Sequence, residues 1–492
     1  MKKKVLIAGA GLGGLAAGLR LAKRGFDVTI LEKNYQAGGR LNQIKKDGFT
    51  FDTGPSFFSM SYEFEELAND CNIKIPFEYT ELDPLYTVNF SGNKKIFYLY
   101  KDIDKLAAQF EGIEPDFKKK FVRYLSKSGA LFHDTVDLVI KNNFDSVFEY
   151  ISTLMRVNPV HVPVLLTSFY AHVKKYFTSQ EARQIISLVA FFLGRTPFDT
   201  MGIYSLLSYT EFKHDGYYNV KGGMYKIVEG LVRELEKEHV KFLFNTEITG
   251  HSFINGQLQY LTDSAGIQHQ ADIFLINADA AWFRGKIFNR RKYSENKLAK
   301  KNWTMGYLTF YLGLKCKLPE VNHHNYYLGN NFDEYAKNVM IHPGTLQKPY
   351  YYVNVLSKHN TDCAPEGCES LFFVCPVPNL YFKKDWSDKE QIVNSIISDF
   401  SERIGKNITP EVISKTIYTP EDWRDQFNLN HGSGLGLSHT MSQIGAFRPS
   451  NFDEEFRNVF YVGASTVPGA GLPMAIISSK LATERILNFS KQ

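Results

Sequence analysis

"KKKVLIAGAGLGGLAAGLRLAKRGFDVTILEKN" (residues 2–34) decides the fold. It reads as strand, tight turn, helix, strand. Residues 5–8 are apolar enough for a short buried strand, and Gly9, Gly11 and Gly14, with Gly13 between them, supply G-x-G-x-x-G. The first glycine permits the turn, the second lets a pyrophosphate approach the backbone, and the third lets the helix close on the strand. Leu15, Leu19 and Ala22 give the helix an apolar stripe, and Gly25 ends it. Residues 26–32 form the second strand. Glu32 closes it, followed by Lys33, at the place where a carboxylate accepts hydrogen bonds from a ribose diol. That acid repels a 2′-phosphate, so the ligand expected here is an unphosphorylated adenine dinucleotide, FAD or NAD. A basic start followed by an apolar run also has the look of a secretory signal, but the glycine rhythm and the lack of a cleavage site argue against one.

The next residues separate the two dinucleotides. In "NYQAGGRLNQIKKDGFTFDTGPS" (residues 34–56), Gly38 and Gly39 permit close backbone approach, and Arg40 brings a permanent charge that pairs with a diphosphate. Gly54, Pro55 and Ser56 make a second turn after an apolar strand. An ordinary NAD dehydrogenase needs no second glycine–arginine element. Here the sequence resembles the flavoprotein family that includes amine oxidases, carotenoid desaturases and the Rab GDP-dissociation inhibitors. The resemblance implies an α/β fold with a Rossmann-like FAD-binding domain, a mixed-sheet substrate domain and a helical membrane-facing region. Two more elements match it. "VKFLFNTEITG" (240–250) is similar to a strand pair in which the backbone of Ile248 contacts adenine, and "ADIFLINADAAWF" (271–283) ends a buried strand in Asn277, Ala278 and Asp279, near the nucleotide.

Towards the other end stands "YVGASTVPGAGLPMAIISSK" (461–480). Residues 459–479 carry no charge, which is transmembrane length, yet Pro468 and Pro473 with Gly469 and Gly471 oppose one spanning helix. A strand, a Gly/Pro turn and a helix starting near Pro473 fit better, with free N–H groups at the helix start. The stretch resembles the bacterial phytoene-dehydrogenase signature. By that resemblance Gly463 and Ala464 touch the ribityl–phosphate side of the flavin. The N–H groups around Met474 and Ala475 face the carbonyl end of its ring, where they stabilise negative charge. Val467 departs from the signature, which carries a polar residue there. The glycine run "GSGLG" (432–436) lacks a preceding apolar strand and is expected to be a substrate-domain turn. No second dinucleotide fingerprint points to NAD(P)H.

The chain as a whole has 492 residues, a hydrophobic fraction of 44% and an aromatic fraction of 14%, a composition with room for a deep apolar pocket. Its net charge of +5 is too mild to call for nucleic acid. Cys71, Cys316, Cys363, Cys368 and Cys375 lack metal-site spacing, so reduced thiols and no bound metal are expected. His323 and His324 are adjacent and are expected to be surface or packing residues. The expected division is 1–70, 215–290 and 425–492 for the FAD-binding domain, 71–100 and 291–424 for the substrate domain, and 101–214 for a helical lid or membrane-contact region. "FKKKFVRYLSKSGALFHDTVDLVI" (117–140) places Phe117, Phe121, Tyr124, Leu125 and Phe132 on one face among lysines, a pattern that suits either a bilayer surface or a protein core.

The function implied by the resemblance is FAD-dependent carotenoid desaturation, in which two hydrogens leave a carbon–carbon bond beside a conjugated polyene, one of them as hydride. "NVKGGMYKIVEGL" (219–231) and Val467 point within that family to 3,4-desaturases of 1-hydroxylated carotenoids, with phytoene desaturase as the alternative. Further rivals are a flavin amine oxidase and a prenyl-binding escort protein without activity. The implied partners are a carotenoid, a membrane surface and oxygen or a quinone as electron acceptor. The implied location is the cytoplasm, against the inner face of the cell membrane. No side chain is singled out as catalytic, and the proton acceptor is open among water, flavin, Tyr and His.

Overall fold

The computed structural model describes residues 2–347 and 350–491. Its first layer is a five-stranded parallel sheet in the order Val459–Tyr461, Ile273–Ile276, Lys4–Ala8, Asp27–Leu31, Lys241–Leu243. Lys4–Ala8 is central and buried after its first residue, as an apolar run flanked by parallel neighbours must be. The registers align Ala8 with Leu31 and with Ile276, and Ile276 with Tyr461. Four chain segments therefore leave the sheet at one carboxyl edge. Gly9, Glu32, Asn277 and Val462 are the first residues out, and this edge is where open α/β sheets bind ligands.

Helix Leu12–Ala22 packs on helices Leu472–Lys491 and Lys226–Lys237 over this sheet. The start of Lys226–Lys237 is tied down by Asp52, whose carboxylate accepts the Met224 N–H at 2.9 Å. Burial pushes the Asp52 carboxyl up to about 7.

A second, seven-stranded sheet runs Val412–Tyr418, Gly306–Leu314, Glu369–Val377, Tyr351–Val355, His324–Leu328, Tyr86–Phe90, Ile96–Leu99. Its only parallel contact joins His324–Leu328 to Tyr86–Phe90; the others are antiparallel, so the sheet is mixed. One face packs on helix Lys389–Arg403, with Val393, Ile396 and Phe400 against Phe310 and Phe373. Strand residues alternate between faces, so the other face carries Tyr307, Tyr326, Tyr352 and Val374. These residues wall the cavity described below.

One expectation changes, and another resolves to its packing alternative. Residues 240–250 do not form a hairpin-like pair. Lys241–Leu243 extends the parallel sheet, whereas Ile248–Ile254 pairs with Gln257–Asp263 in a separate three-stranded sheet. A turn at Asn245, in the left-handed region at φ 53°, redirects the chain between them. His323 and His324 are both buried, their rings 4.4 Å apart, so they are packing residues and not surface ones.

Helices fill much of residues 103–214. The apolar face of Phe117–Thr135 is buried against Phe177 and Phe212, and Lys118 and Lys119 are exposed. This helix turns its apolar stripe into protein and offers none to lipid. Apart from Val122 on that helix, the exposed large apolar side chains of the region are Val147, Phe148, Ile151, Leu154, Met155, Val160, Val162 and Leu166. Among the described residues no helix is long and apolar enough to cross a membrane. The five cysteines are free thiols, and the described residues hold no cluster of potential metal ligands.

Candidate active site

At the carboxyl edge Gly9 takes φ 105° and donates its N–H to the Leu31 carbonyl at 2.7 Å, closing the turn between the two central strands. A Cβ on Gly14 would lie far inside van der Waals contact distance of the Gly9 carbonyl oxygen, so helix and strand could not approach this closely with any other residue there. Glu32 is buried. Its carboxylate accepts the Ala10 N–H at 2.8 Å and the Asn34 N–H at 2.9 Å. Burial raises its pKa, and these hydrogen bonds oppose the rise. The acid thus stands braced by backbone at the mouth of the glycine turn. The Asn34 side-chain amide donates to it as well at 3.0 Å, so of about four acceptor sites one, on Oε2, remains for a ribose hydroxyl.

Arg40 reaches across the edge and donates from Nη1 to the Gly434 carbonyl at 2.8 Å. Burial lowers its pKa, and Asp279 works against that shift. No carboxylate among the described residues lies within ion-pair distance of its guanidinium, so a half-buried cation keeps donors free. An uncompensated arginine beside a glycine turn fits a diphosphate, the group that takes a bidentate guanidinium. Asp279 caps the short helix Ala280–Trp282, accepting the Trp282 N–H at 2.8 Å, and accepts the Ser465 hydroxyl at 2.6 Å.

The terminal turn is held from behind by two buried groups. Arg448 donates to the carbonyls of Ala464 at 2.6 Å, Thr466 at 2.9 Å and Leu437 at 3.2 Å. Burial pulls its pKa down to about 10, so it stays cationic at neutral pH. His439 is driven well below its usual value by burial and by the neighbouring arginines. It is neutral, so its Nε2 can accept the Ala470 N–H at 3.2 Å.

These parts enclose one cavity of about 880 Å³. Of the residues the sequence pointed to, Gly9, Gly11, Gly13, Glu32, Lys33, Gly39, Arg40, Gly54, Pro55, Ser56, Ile248, Asn277, Ala278, Asp279, Gly463, Ala464 and Met474 all line it. Gly14 lies beneath the turn instead of on the wall. Two readings are corrected in detail, those of Ala475 and of the "GSGLG" run, and that of Gly463 gains a detail. The Ala475 N–H is spent on the Gly471 carbonyl at 3.0 Å, so helix Leu472–Lys491 offers Met474 and not Ala475 as its free donor among the described residues. The Gly463 N–H donates to the Ser478 hydroxyl at 3.0 Å and is not free for a phosphate. The "GSGLG" run is part of the flavin side: Gly434 lines the cavity and binds Arg40, and Gly436 stands beside Asp279 and Ser465.

Sequence reasoning missed Asn34, Ser465 and Phe57. Asn34 and Ser465 adjoin recognised motifs, which was their available signal. Phe57 follows the "TGPS" turn directly and centres an aromatic cluster, with His324 at 4.0 Å, Tyr217 at 4.8 Å, Phe192 at 5.0 Å and Tyr352 at 5.2 Å between ring centroids. From there the cavity continues along the inner face of the seven-stranded sheet and through the helices, past Leu154, Val157, Val162 and Leu165. It can hold a dinucleotide at the sheet edge and a long apolar molecule beyond it.

Residues 12–487 match the family of flavin-containing amine oxidoreductases. The zeta-carotene-forming phytoene desaturase of Myxococcus xanthus is 31% identical, with 99% of this chain and 94% of that protein aligned. The carotenoid 3,4-desaturase of Haloarcula japonica is 28% identical over 98% of each. Among solved structures an oxidoreductase from Methanosarcina mazei superposes with a TM-score of 0.67 at 16% identity, covering 98% of this chain and 100% of its own, a likeness of fold. A glycine turn closed by a buried acid, an unpaired arginine facing it and a matching family model over nearly all residues lead to one statement: this chain is an FAD-dependent oxidoreductase of the flavin-containing amine oxidoreductase family.

Proposed function

We propose that the protein is a carotenoid desaturase that introduces a carbon–carbon double bond beside a conjugated polyene. The single observation carrying this reading is the continuity of the cavity. It runs from the cofactor edge along an aromatic sheet face to an exposed apolar segment at residues 147–166. Such a path suits a long hydrocarbon that arrives from lipid.

Bound FAD supplies a two-electron acceptor for hydride. The chain's residues do the rest. Glu32 and Arg40 would hold the adenosine and diphosphate ends, and Asp279, Ser465 and the arginine-braced terminal turn would fix the far side. Met474, at the start of Leu472–Lys491, presents a free N–H and the positive end of a helix dipole, which favour negative charge on the cofactor's ring. The sheet-face aromatics align the polyene and exclude water, so the energetic contribution of the protein is largely orientation.

Within the class, a 3,4-desaturase acting on 1-hydroxylated carotenoids is the finer reading. It is supported by the likeness to the Haloarcula protein and by the hydroxyls of Tyr326, Tyr335 and Tyr350. All three side chains line the cavity, are buried and have no hydrogen-bond partner among the described residues. Each unsatisfied hydroxyl costs about 1–3 kcal/mol, a cost an oxygenated end group would relieve and a pure hydrocarbon would not. Phytoene desaturation is the second reading, favoured by the Myxococcus relative.

The same proposal places the protein peripherally on the inner face of the cell membrane, docked through residues 147–166, with oxygen or a membrane quinone reoxidising the cofactor. Chromatography of pigments after co-expression with pathways supplying phytoene, γ-carotene or its 1-hydroxy form tests the whole reading. A new, more conjugated pigment from the hydroxylated precursor alone supports the finer form. Conversion of phytoene supports the alternative, and unchanged pigments in all three strains refute both.

A further inference from the structure

One carboxyl buried beside the cavity plays no part in holding the cofactor. Glu211 lies in the helical turn Thr210–His214, directly after the cavity-lining Thr210, and is almost wholly buried. Its Oε1 has no hydrogen-bond partner among the described residues. The carboxyl faces the hydroxyls of Tyr86, from strand Tyr86–Phe90, and Tyr217, just before strand Tyr218–Val220. Tyr326 from strand His324–Leu328 and Tyr124 from helix Phe117–Thr135 complete its electrostatic surroundings. Lys213 and His214 of its own turn are exposed. Four phenols and no cation therefore surround a buried acid. Tyr217 and Tyr326 line the cavity, and Tyr217 lies 4.8 Å from Phe57, ring to ring, next to the "TGPS" turn of the cofactor site.

A buried carboxyl without a cationic partner contributes little to stability, because ionising it is costly. Beside a substrate cavity it is suited to holding a proton. We propose that Glu211, acting through Tyr217, takes up the proton that leaves the substrate as the new double bond forms. The inference rests on the desaturase reading above.

One hydrogen leaves the substrate with both electrons of its C–H bond, to the two-electron acceptor the cofactor provides, and an allylic cation remains. The C–H bond on the adjacent carbon then breaks, and its electron pair becomes the second bond of C=C. Its proton goes to the Tyr217 oxygen as the Tyr217 O–H proton passes to the Glu211 carboxylate. Tyr217 ends neutral, as it began, and Glu211 ends as the acid. A C–H bond beside a carbocation is a strong acid, so a phenol oxygen coupled to a carboxylate suffices. Glu211 is a positioning residue in this scheme, since Tyr217 makes the contact with substrate. Burial lifts the Glu211 carboxyl to about 8, with the tyrosine hydroxyls opposing the rise, so its accepting form grows as pH rises through that value.

The test compares wild type, Glu211→Gln and Glu211→Asp as holoenzymes. Infrared difference spectra between about pH 7 and about pH 9 are recorded in an Asp52→Asn background, which removes the other carboxyl titrating near pH 7. They are expected to show a protonated-carboxyl stretch lost on the alkaline side with Glu211 present and missing once Glu211→Gln is added. With phytoene and with its hydroxylated derivatives in phosphatidylcholine vesicles, Glu211→Gln is expected to lower kcat at least ~100-fold with KM and FAD content unchanged, and to abolish the inflection near pH 8. Glu211→Asp should restore part of the rate. Wild-type kcat and pH profile in Glu211→Gln overturn the inference, as does a carboxyl band that the substitution leaves in place. If wild type itself converts none of these carotenoids, the desaturase reading fails and takes this inference with it, a result distinct from equal turnover by both proteins.

Discussion

Replacing Phe148, Met155 and Leu166 together by serine should release the protein from lipid without unfolding it. Phe148 and Met155 lie seven residues apart, with Ile151 between them, on one face of the helix Val147–Leu154 and its C-cap, and Leu166 follows the short helix Val162–Leu165. Their exposures are 83%, 82% and 74%, so each has most of its apolar surface available to a bilayer and little committed to the core. Full transfer of such a side chain from water is worth about 2 kcal/mol; scaled by these exposures, the three contribute roughly 4–5 kcal/mol. That corresponds to about a 1,000-fold change in partitioning, and incomplete insertion still leaves a change of about 100-fold. Flotation of purified protein with phosphatidylcholine–phosphatidylglycerol vesicles measures it. FAD content and melting temperature should stay at wild-type values. Vesicle binding that is unchanged in the triple variant would refute the docking surface, whereas loss of binding accompanied by loss of FAD would mean the segment is structural.

Two other outcomes follow from particular groups. Asp52 has a folded pKa raised by burial to about 7 from 3.8, so the stability it contributes is full below about pH 4 and is lost as pH rises through about 7. Asp52→Asn keeps an acceptor for Met224 N–H, so it should flatten that part of the pH–stability curve in thermal melts; an unchanged slope contradicts the assignment. Changing Tyr326, Tyr335 and Tyr350 to Phe should lower kcat/KM for a 1-hydroxylated carotenoid by about 10–100-fold and leave an unhydroxylated one within about 2-fold, since one or two hydrogen bonds are at stake. Equal losses on both substrates would assign the tyrosines to packing.

The cofactor edge was legible in the sequence because its signals are local. A turn that only glycine permits, an acid at a set distance and a Gly/Pro turn before a helix each follow from backbone geometry within a few residues. The substrate side depends on distant pairings. Strand Tyr86–Phe90 joins His324–Leu328 in parallel across nearly half the chain, and no short pattern announces that partner. The basic amphipathic helix Phe117–Thr135 was ambiguous for a physical reason: an apolar stripe has the same period whether it faces core or lipid. The exposed segment lies inside the expected membrane-contact region 101–214 but does not read as a spanning helix, because Asn158, Pro159, His161 and Pro163 interrupt its hydrophobic run. Those residues break one spanning helix into short pieces, which still place apolar side chains on the surface. Glu211 gave no motif at all, since its environment is made by tyrosines on four separate elements.

The central claim is that a dinucleotide lies along the first glycine turn with its ring at the start of the last helix. A crystal structure of the protein grown with excess FAD tests it most directly. The account predicts diphosphate against Gly11 and Arg40, ribose on Glu32 and the isoalloxazine beside Met474, with equimolar FAD released when the same preparation is denatured. A colourless crystal with side chains packed into that channel would contradict it.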